Sequence, residues 1–143
     1  MRLLVDTNVF MDILYNREGL CDNSKPFFDK TREYHDQIYV CASTIKDLAY
    51  FIRKSVRDTK KTNDILVNIF SKVTKIVGIS ADDAINALYE EGDYEDNVLA
   101  EVSQTTMCDA IISNNIKDFE NKRVIVWTPN EYLKYRVKPD EIR

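Results

Sequence analysis

The sequence predicts an α/β fold, a central parallel sheet of four to five strands with helices on both faces. Short apolar runs recur at the length of buried strands: Leu3-Leu4-Val5, Ile38-Tyr39-Val40-Cys41, Lys75-Ile76-Val77-Gly78, Ala110-Ile111-Ile112-Ser113 and Val124-Ile125-Val126-Trp127. Between them lie segments with apolar residues at helical spacing, the alternation that right-handed crossovers produce. A chain of 143 residues, 44% hydrophobic with three glycines and three prolines, suits one compact domain spanning 1–143.

The elements follow in order. After the first strand, Val9, Phe10, Ile13 and Leu14 predict a short helix with Asp6 or Thr7 as its N-cap. Residues 19–30 are mixed, and Gly19, Asn23, Ser24 and Pro26 mark a loop and a helix start. Beyond the second strand, Ser43-Thr44 opens an amphipathic helix whose Ile45, Leu48, Ala49, Ile52 and Val56 form one apolar stripe. Another helix starts near Thr62 or Asn63 and carries Ile65, Leu66, Ile69 and Phe70. After the third strand, Ser80 to Asp83 has capping-box spacing ahead of a helix bearing Ala84, Ile85 and Leu88. Gly92 ends that helix, and Asp93-Tyr94-Glu95-Asp96 starts the next, with Val98, Leu99 and Val102 facing inward. A short turn through Lys117-Asp118-Phe119 joins the fourth and fifth strands, and Pro129 introduces the last helix.

No stretch reaches the length of a membrane span, and no signal peptide is apparent. Three widely spaced cysteines without a Cys-x-x-Cys point to a reduced, cytoplasmic setting rather than a zinc or disulfide framework. A net charge of −4 argues against a general nucleic-acid binder. Charge is nevertheless uneven. Arg53, Lys54, Arg57, Lys60 and Lys61 form a basic stretch that can follow a phosphate backbone, although a solvated helix face is the simpler account. Asp82, Asp83, Glu90, Glu91, Asp93, Glu95 and Asp96 form an acidic stretch, read in the same way.

Four positions share one topological address. Asp6 follows strand one, Asp47 lies in the first turn of the helix after strand two, and Asn115 follows strand four. Asp96 lies in the first turn of the helix leading to strand four, so it must approach from the side. In open α/β sheets, ligands bind beyond the carboxyl ends of the strands, and oxygens gathered there suit a divalent cation. Each residue also has a structural role to weigh. Asp6 can be a plain N-cap, and Thr44-x-x-Asp47 matches a capping signature. Asp96 is favoured by a helix dipole, and Asn114 and Asn115 suit a turn. Asp12, four residues after Asn8, reads as a solvated or rim residue, and His35 as a surface loop histidine. Trp127 and the tyrosines read mainly as packing.

The segments LLVDTN, STIKDL, DYEDNVLA and DAIISNNIKDFE, in that order along nearly the whole chain, resemble the PIN-domain family, and most closely its VapC-like toxin ribonucleases. The resemblance implies a Rossmann-like sheet, a Mg²⁺ or Mn²⁺ site and hydrolysis of RNA phosphodiesters. It also implies a cognate antitoxin and a homodimer. Asp6 matches the family's first acid, Asp96 its third, and Asn115 the position that holds Asp or Asn. Asp118 lies in the matching NIKDFE segment. Asp47 stands where most members carry glutamate, and Ser113 where threonine is usual. Thr7, Asn8 and Ser113 are candidates to hydrogen-bond a phosphate oxygen.

The chemistry agrees with these residue types. Mg²⁺ takes carboxylate, carbonyl and water oxygens, whereas softer metals call for Cys or His. One ion lowers the pKa of a water and orients it for in-line attack, and a second stabilises the leaving oxygen. With His35 the sole histidine and outside every motif, histidine acid–base chemistry is disfavoured. The expectation is therefore a metal-dependent endoribonuclease; the alternative is a catalytically silent PIN-like module that binds RNA or a partner protein. A phosphoacceptor receiver domain lacks its paired acids and its lysine here, and a phosphoaspartate phosphatase lacks its second aspartate.

Overall fold

The computed structural model describes residues 1–16 and 21–136, so the loop expected at Gly19 falls outside the described residues. The strands are β1 (Arg2–Val5), β2 (Gln37–Cys41), β3 (Lys75–Val77), β4 (Ala110–Ile112) and β5 (Val126–Trp127). The helices are α1 (Thr7–Leu14), α2 (Cys21–Glu33), α3 (Ala42–Val56), α4 (Thr59–Phe70), α5 (Ala81–Asn86), α6 (Tyr94–Thr105) and α7 (Pro129–Tyr135). Every strand pairing is parallel, in the order β3-β2-β1-β4-β5.

Both faces of the sheet are covered. Leu3, Val5, Ile38, Val40 and Ile112 face a core shared with Phe10, Phe27, Leu48, Leu66 and Tyr132 from α1, α2, α3, α4 and α7. Leu4, Tyr39, Cys41 and Ile111 face Val98, Leu99, Val102 and Phe119 on the other side. Alternating residues of one strand thus serve opposite cores, which a central parallel strand requires.

Several boundaries differ from the sequence expectation. α2 runs through the segment read as loop and contains Pro26, an exposed residue, while Ser24 and Phe27 on its inner side are buried. α3 begins at Ala42 with Cys41 as a cap lacking a side-chain bond, so the Thr44–Asp47 capping signature is not used. Its Val56 is 38% exposed and lies off the buried stripe. α4 starts earlier than expected because Asp58 caps it, accepting from the Lys61 amide at 3.0 Å. The Ser80–Asp83 capping box forms as expected, with bonds of 3.0 and 3.1 Å. The helix behind it is short, and Ile85 and Leu88 point to solvent while Asp83 and Ala87 are buried. Asp12 is wholly buried rather than solvated.

Asp36, at the foot of β2, closes the sheet edge opposite the site described below. Its carboxylate accepts from Tyr132 Oη at 2.7 Å, from the Met1 amino group at 2.7 Å, and from Arg136 Nε and Nη2 at 2.8 and 2.9 Å. Burial alone would raise its pKa, but the bonds from Arg136, Met1 and Tyr132 hold it below the ordinary aspartate value of 3.8. Stability from this group is therefore present above that value and lost as pH falls through the lowered one. Asp36→Ala removes the acceptor shared by Arg136, Tyr132 and the Met1 amine and should destabilise the fold by about 3–5 kcal/mol. Urea unfolding at neutral pH checks this, and the deficit should shrink in acid; a variant as stable as its parent would show the cluster to be idle.

Candidate active site

The site is built by strand register. β1 lies between β2 and β4, with Val5 opposite Ile112, and the Asp6 amide donates to the Ile112 carbonyl at 2.9 Å. The residues that leave β1, β2 and β4 therefore emerge side by side at the carboxyl edge of the sheet, the usual location of α/β sites.

Asp6 caps α1, and its Oδ1 accepts from the Thr7 amide at 2.7 Å. Its Oδ2 accepts from Ser113 Oγ at 2.8 Å and from Asn8 Nδ2 at 3.2 Å. Asn8 Nδ2 also donates to Ser113 Oγ at 3.1 Å, and Asn8 Oδ1 accepts from the Asn114 amide at 3.1 Å. Thr7 Oγ1 bonds to Thr44 Oγ1 at 3.1 Å, which ties α1 to the start of α3. Asn8 and Ser113 thus hold each other, and together with the Thr7 amide they orient Asp6. Despite these donors, burial leads in raising the Asp6 pKa above the ordinary value, with help from the charge of Asp118.

Asp96 arrives from α6, whose N-cap Asp93 accepts from the amides of Glu95 and Asp96 at 2.9 and 3.4 Å. Its pKa is pushed up to about 6, first by burial and then by the charges of Asp118, Asp6 and Asp93, with Lys122 opposing. Asp118 stands on a 3₁₀ turn, Ile116–Phe119, anchored by buried Phe119. Asp6 and Asp96, from distant parts of the chain, therefore both feel the charge of Asp118, and Asp96 that of Asp6 as well.

The other expected residues stand differently. Asn115 caps the 3₁₀ turn and is exposed; its amide donates to Ser113 Oγ at 3.1 Å, and its side chain makes no hydrogen bond among the described residues. Asp47 lies one turn beyond Thr44 on α3, half-buried, without a hydrogen bond or ion pair among the described residues. No group of three or more His, Cys, Asp or Glu side chains that could hold a metal ion is found among the described residues. His35 is exposed in the loop before β2, at the opposite sheet edge.

Two further features of the site carry no functional signal in the sequence. Buried Asp12 accepts from Ser24 Oγ at 3.1 Å and also from Asn114 Nδ2, bracing the loop after β4 against α1 and α2. Its spacing from Asn8 was visible, but the partners that bury it come from distant segments. Lys122 Nζ reaches the Glu91 carbonyl at 3.4 Å and lies over Gly92, whose φ of 97° suits glycine. No local motif signals this lysine.

A family model of the PIN domain matches residues 2–117, and the chain belongs to the PIN-domain family. A comparison with curated protein sequences finds no match. The chain is similar to VapBC2 from Rickettsia felis bound to a DNA fragment from its promoter, at TM-score 0.68 and 16% identity over 90% of this chain and 98% of that one. It is similar to VapBC-1 from nontypeable Haemophilus influenzae at TM-score 0.69 and 12% identity, covering 91% and 99%. It is also similar to VapC20 from Mycobacterium tuberculosis, a Sarcin-Ricin loop cleaving toxin, at TM-score 0.59 and 12% identity, covering 76% and 86%. At such identities the likeness is one of fold, and that fold is the PIN fold of the VapC structures.

The raised Asp96 pKa has a consequence for stability. The folded state holds this proton more tightly than the unfolded chain, so ionisation carries a penalty that is absent below about 3.8 and complete above about 6. In EDTA at neutral pH, Asp96→Asn should therefore raise Tm, and its advantage should grow as pH rises through that window. Thermal melts across the range check this; an Asn variant that melts below its parent at neutral pH would contradict the repulsion.

Proposed function

We propose that this PIN-domain protein is a metal-dependent endoribonuclease that hydrolyses RNA phosphodiester bonds. We assign it as the cytoplasmic toxin of a type II toxin–antitoxin pair, a homodimer restrained by a cognate antitoxin. The observation that carries this is that Asp6 and Asp96, acids from distant parts of the chain, both have their pKa raised by burial and by the charge of Asp118 where α/β folds bind ligands. Such an arrangement is costly without a cation. Similarity to toxin–antitoxin structures and to a Sarcin-Ricin loop cleaving toxin supports the assignment. Among the described residues no helix is long and apolar enough to cross a membrane.

The donor set fits Mg²⁺ or Mn²⁺, since it offers carboxylate and amide oxygens and no histidine or cysteine. Asp6 and Asp96 would hold the ion first, with Asp118, Asp47 and Asn115 completing the shell directly or through water. The ion supplies neutralisation of phosphate charge and a more acidic water. The chain does the rest. Ser113, Asn8 and the Thr7 amide fix the orientation of Asp6, and Thr44 holds α3, with Asp47, alongside. Lys122 lies within electrostatic reach of Asp96, where it offsets part of the negative charge.

Asp6→Asn should abolish metal-dependent cleavage of a single-stranded RNA, and EDTA should do the same to the parent. Undiminished cleavage by Asp6→Asn ends the proposal. A second reading, a silent module that binds RNA or a protein, draws on the absence of a preassembled acidic metal group among the described residues. Calorimetric titration with Mn²⁺ separates them: the nuclease should bind the ion and lose binding on Asp96→Asn, whereas a silent module need not bind it at all.

A further inference from the structure

Resting on the nuclease function proposed above, we infer that the corner between α3 and α4 is a second binding surface for the single-stranded RNA substrate, in which Arg53, Lys54, Arg57, Lys60 and Lys61 take the backbone phosphates and Tyr50 takes a base.

The corner is cation-rich within an acidic chain. Five of the nine residues 53–61 are Lys or Arg, against the single carboxylate of Asp58, while the whole chain carries −4. All five cations are exposed, and none forms an ion pair among the described residues. Asp58 is already engaged as the cap of α4 through the Lys61 amide. The fold explains only part of this. Arg53, Lys54 and Arg57 stand at the carboxyl end of α3, where a helix dipole welcomes cations. Lys60 and Lys61 stand in the first turn of α4, where the dipole opposes them, and Arg57 and Lys61 add like charge to the same corner. Cations kept against local electrostatics are cations available to an anion.

Aromatic surface accompanies the charge. Tyr50 is 63% exposed and Phe51 41% exposed, with their rings edge to face at 5.6 Å between centroids. A shallow cleft between α3 and α4 joins Tyr50, Arg53 and Lys54 to Thr59, Thr62 and Asn63. Exposed aromatics beside cations are what unpaired bases and their backbone require, because every base has a face to stack. An acidic peptide would use the cations and leave the rings without a role.

The corner is also continuous with the acidic site. Asp47, Tyr50, Phe51 and Lys54 fall at i, i+3, i+4 and i+7 on α3, hence along one side of the helix. At about 1.5 Å per residue, Arg57 lies about 15 Å along the helix from Asp47, a reach of a few nucleotides. The Thr7–Thr44 bond fixes the near end of this track beside Asp6. A strand held at the corner is thus led toward the carboxylates, which alone would repel it.

The test is fluorescence anisotropy of labelled oligouridylate in EDTA, at several salt concentrations, with cleavage by Mn²⁺-loaded protein assayed in parallel. Replacing all five cations with glutamine should weaken binding at least tenfold at low salt, with an unchanged circular dichroism spectrum. The slope of log affinity against log salt should fall by about 0.7 for each phosphate contact removed. Tyr50→Ala should weaken binding about tenfold and Tyr50→Phe should restore it, since the ring and not the hydroxyl stacks. If the parent cleaves RNA while the glutamine variant binds it as tightly, the second surface is refuted and the nuclease stands. If the parent binds through this corner but never cleaves, the surface stands and the nuclease falls. Loss of polyglutamate binding with RNA binding intact would assign the corner to an acidic protein and overturn the inference.

Discussion

The molecule depends on the placement of β1 between β2 and β4. Because Val5 lies opposite Ile112, the next residue on each strand, Asp6 and Ser113, leaves the sheet within hydrogen-bond distance of the other. A slip of one residue would turn Leu3 and Val5 to the opposite core and carry Asp6 to the wrong face. The two apolar cores thus do more than stabilise the sheet. They fix the register that holds a charged residue at its edge, and the same packing that withdraws Asp6 from water raises its proton affinity.

Around that edge the structure trades local comfort for a concentrated charge. Asp6 is well supplied with donors, yet burial and the neighbouring Asp118 outweigh them. Asp96 sits at a helix start, where the dipole helps a carboxylate, and is still driven up to about 6. Desolvation combined with like charge is the arrangement found where side chains are kept for a ligand and not for stability. The contrast with Asp36 is instructive. That carboxylate is also buried, but Arg136, Tyr132 and the Met1 amine surround it with donors and hold its pKa low. One buried acid is a structural clasp, and the other group of acids has its charge only partly offset, by Lys122 and the donors around Asp6.

The PIN-domain match spans residues 2–117, and details peculiar to this sequence shape the surroundings of the acids. Asp47 stands half-buried on α3 without a bonded partner among the described residues. Asn114, and not the side chain of Asn115, is engaged here, because its amide and side chain meet Asn8 and Asp12. The basic corner with α4 lies at the far end of α3 from Asp47.

The strand runs, the helix-forming segments and the positions of Asp6, Asp96 and Ser113 were legible in the sequence, because buried strands and capped helix starts leave periodic, local signals. The Ser80–Asp83 box and the start of α7 were legible for the same reason. Other features were decided only by tertiary contacts. α2 continues through Pro26 because its inner face packs in the core, overriding the loop-like composition. Ile85 and Leu88 face solvent because the expected helix stops at Asn86 and Leu88 falls on the 3₁₀ turn after it, so the predicted stripe is not continuous. Asp12 is buried by Ser24 and Asn114, the latter 102 residues away, and Lys122 reaches the acids only through the folding of its loop. Periodicity reports what a residue does with its neighbours in the chain; charge coupling and burial depend on neighbours brought from afar, which only the folded backbone selects.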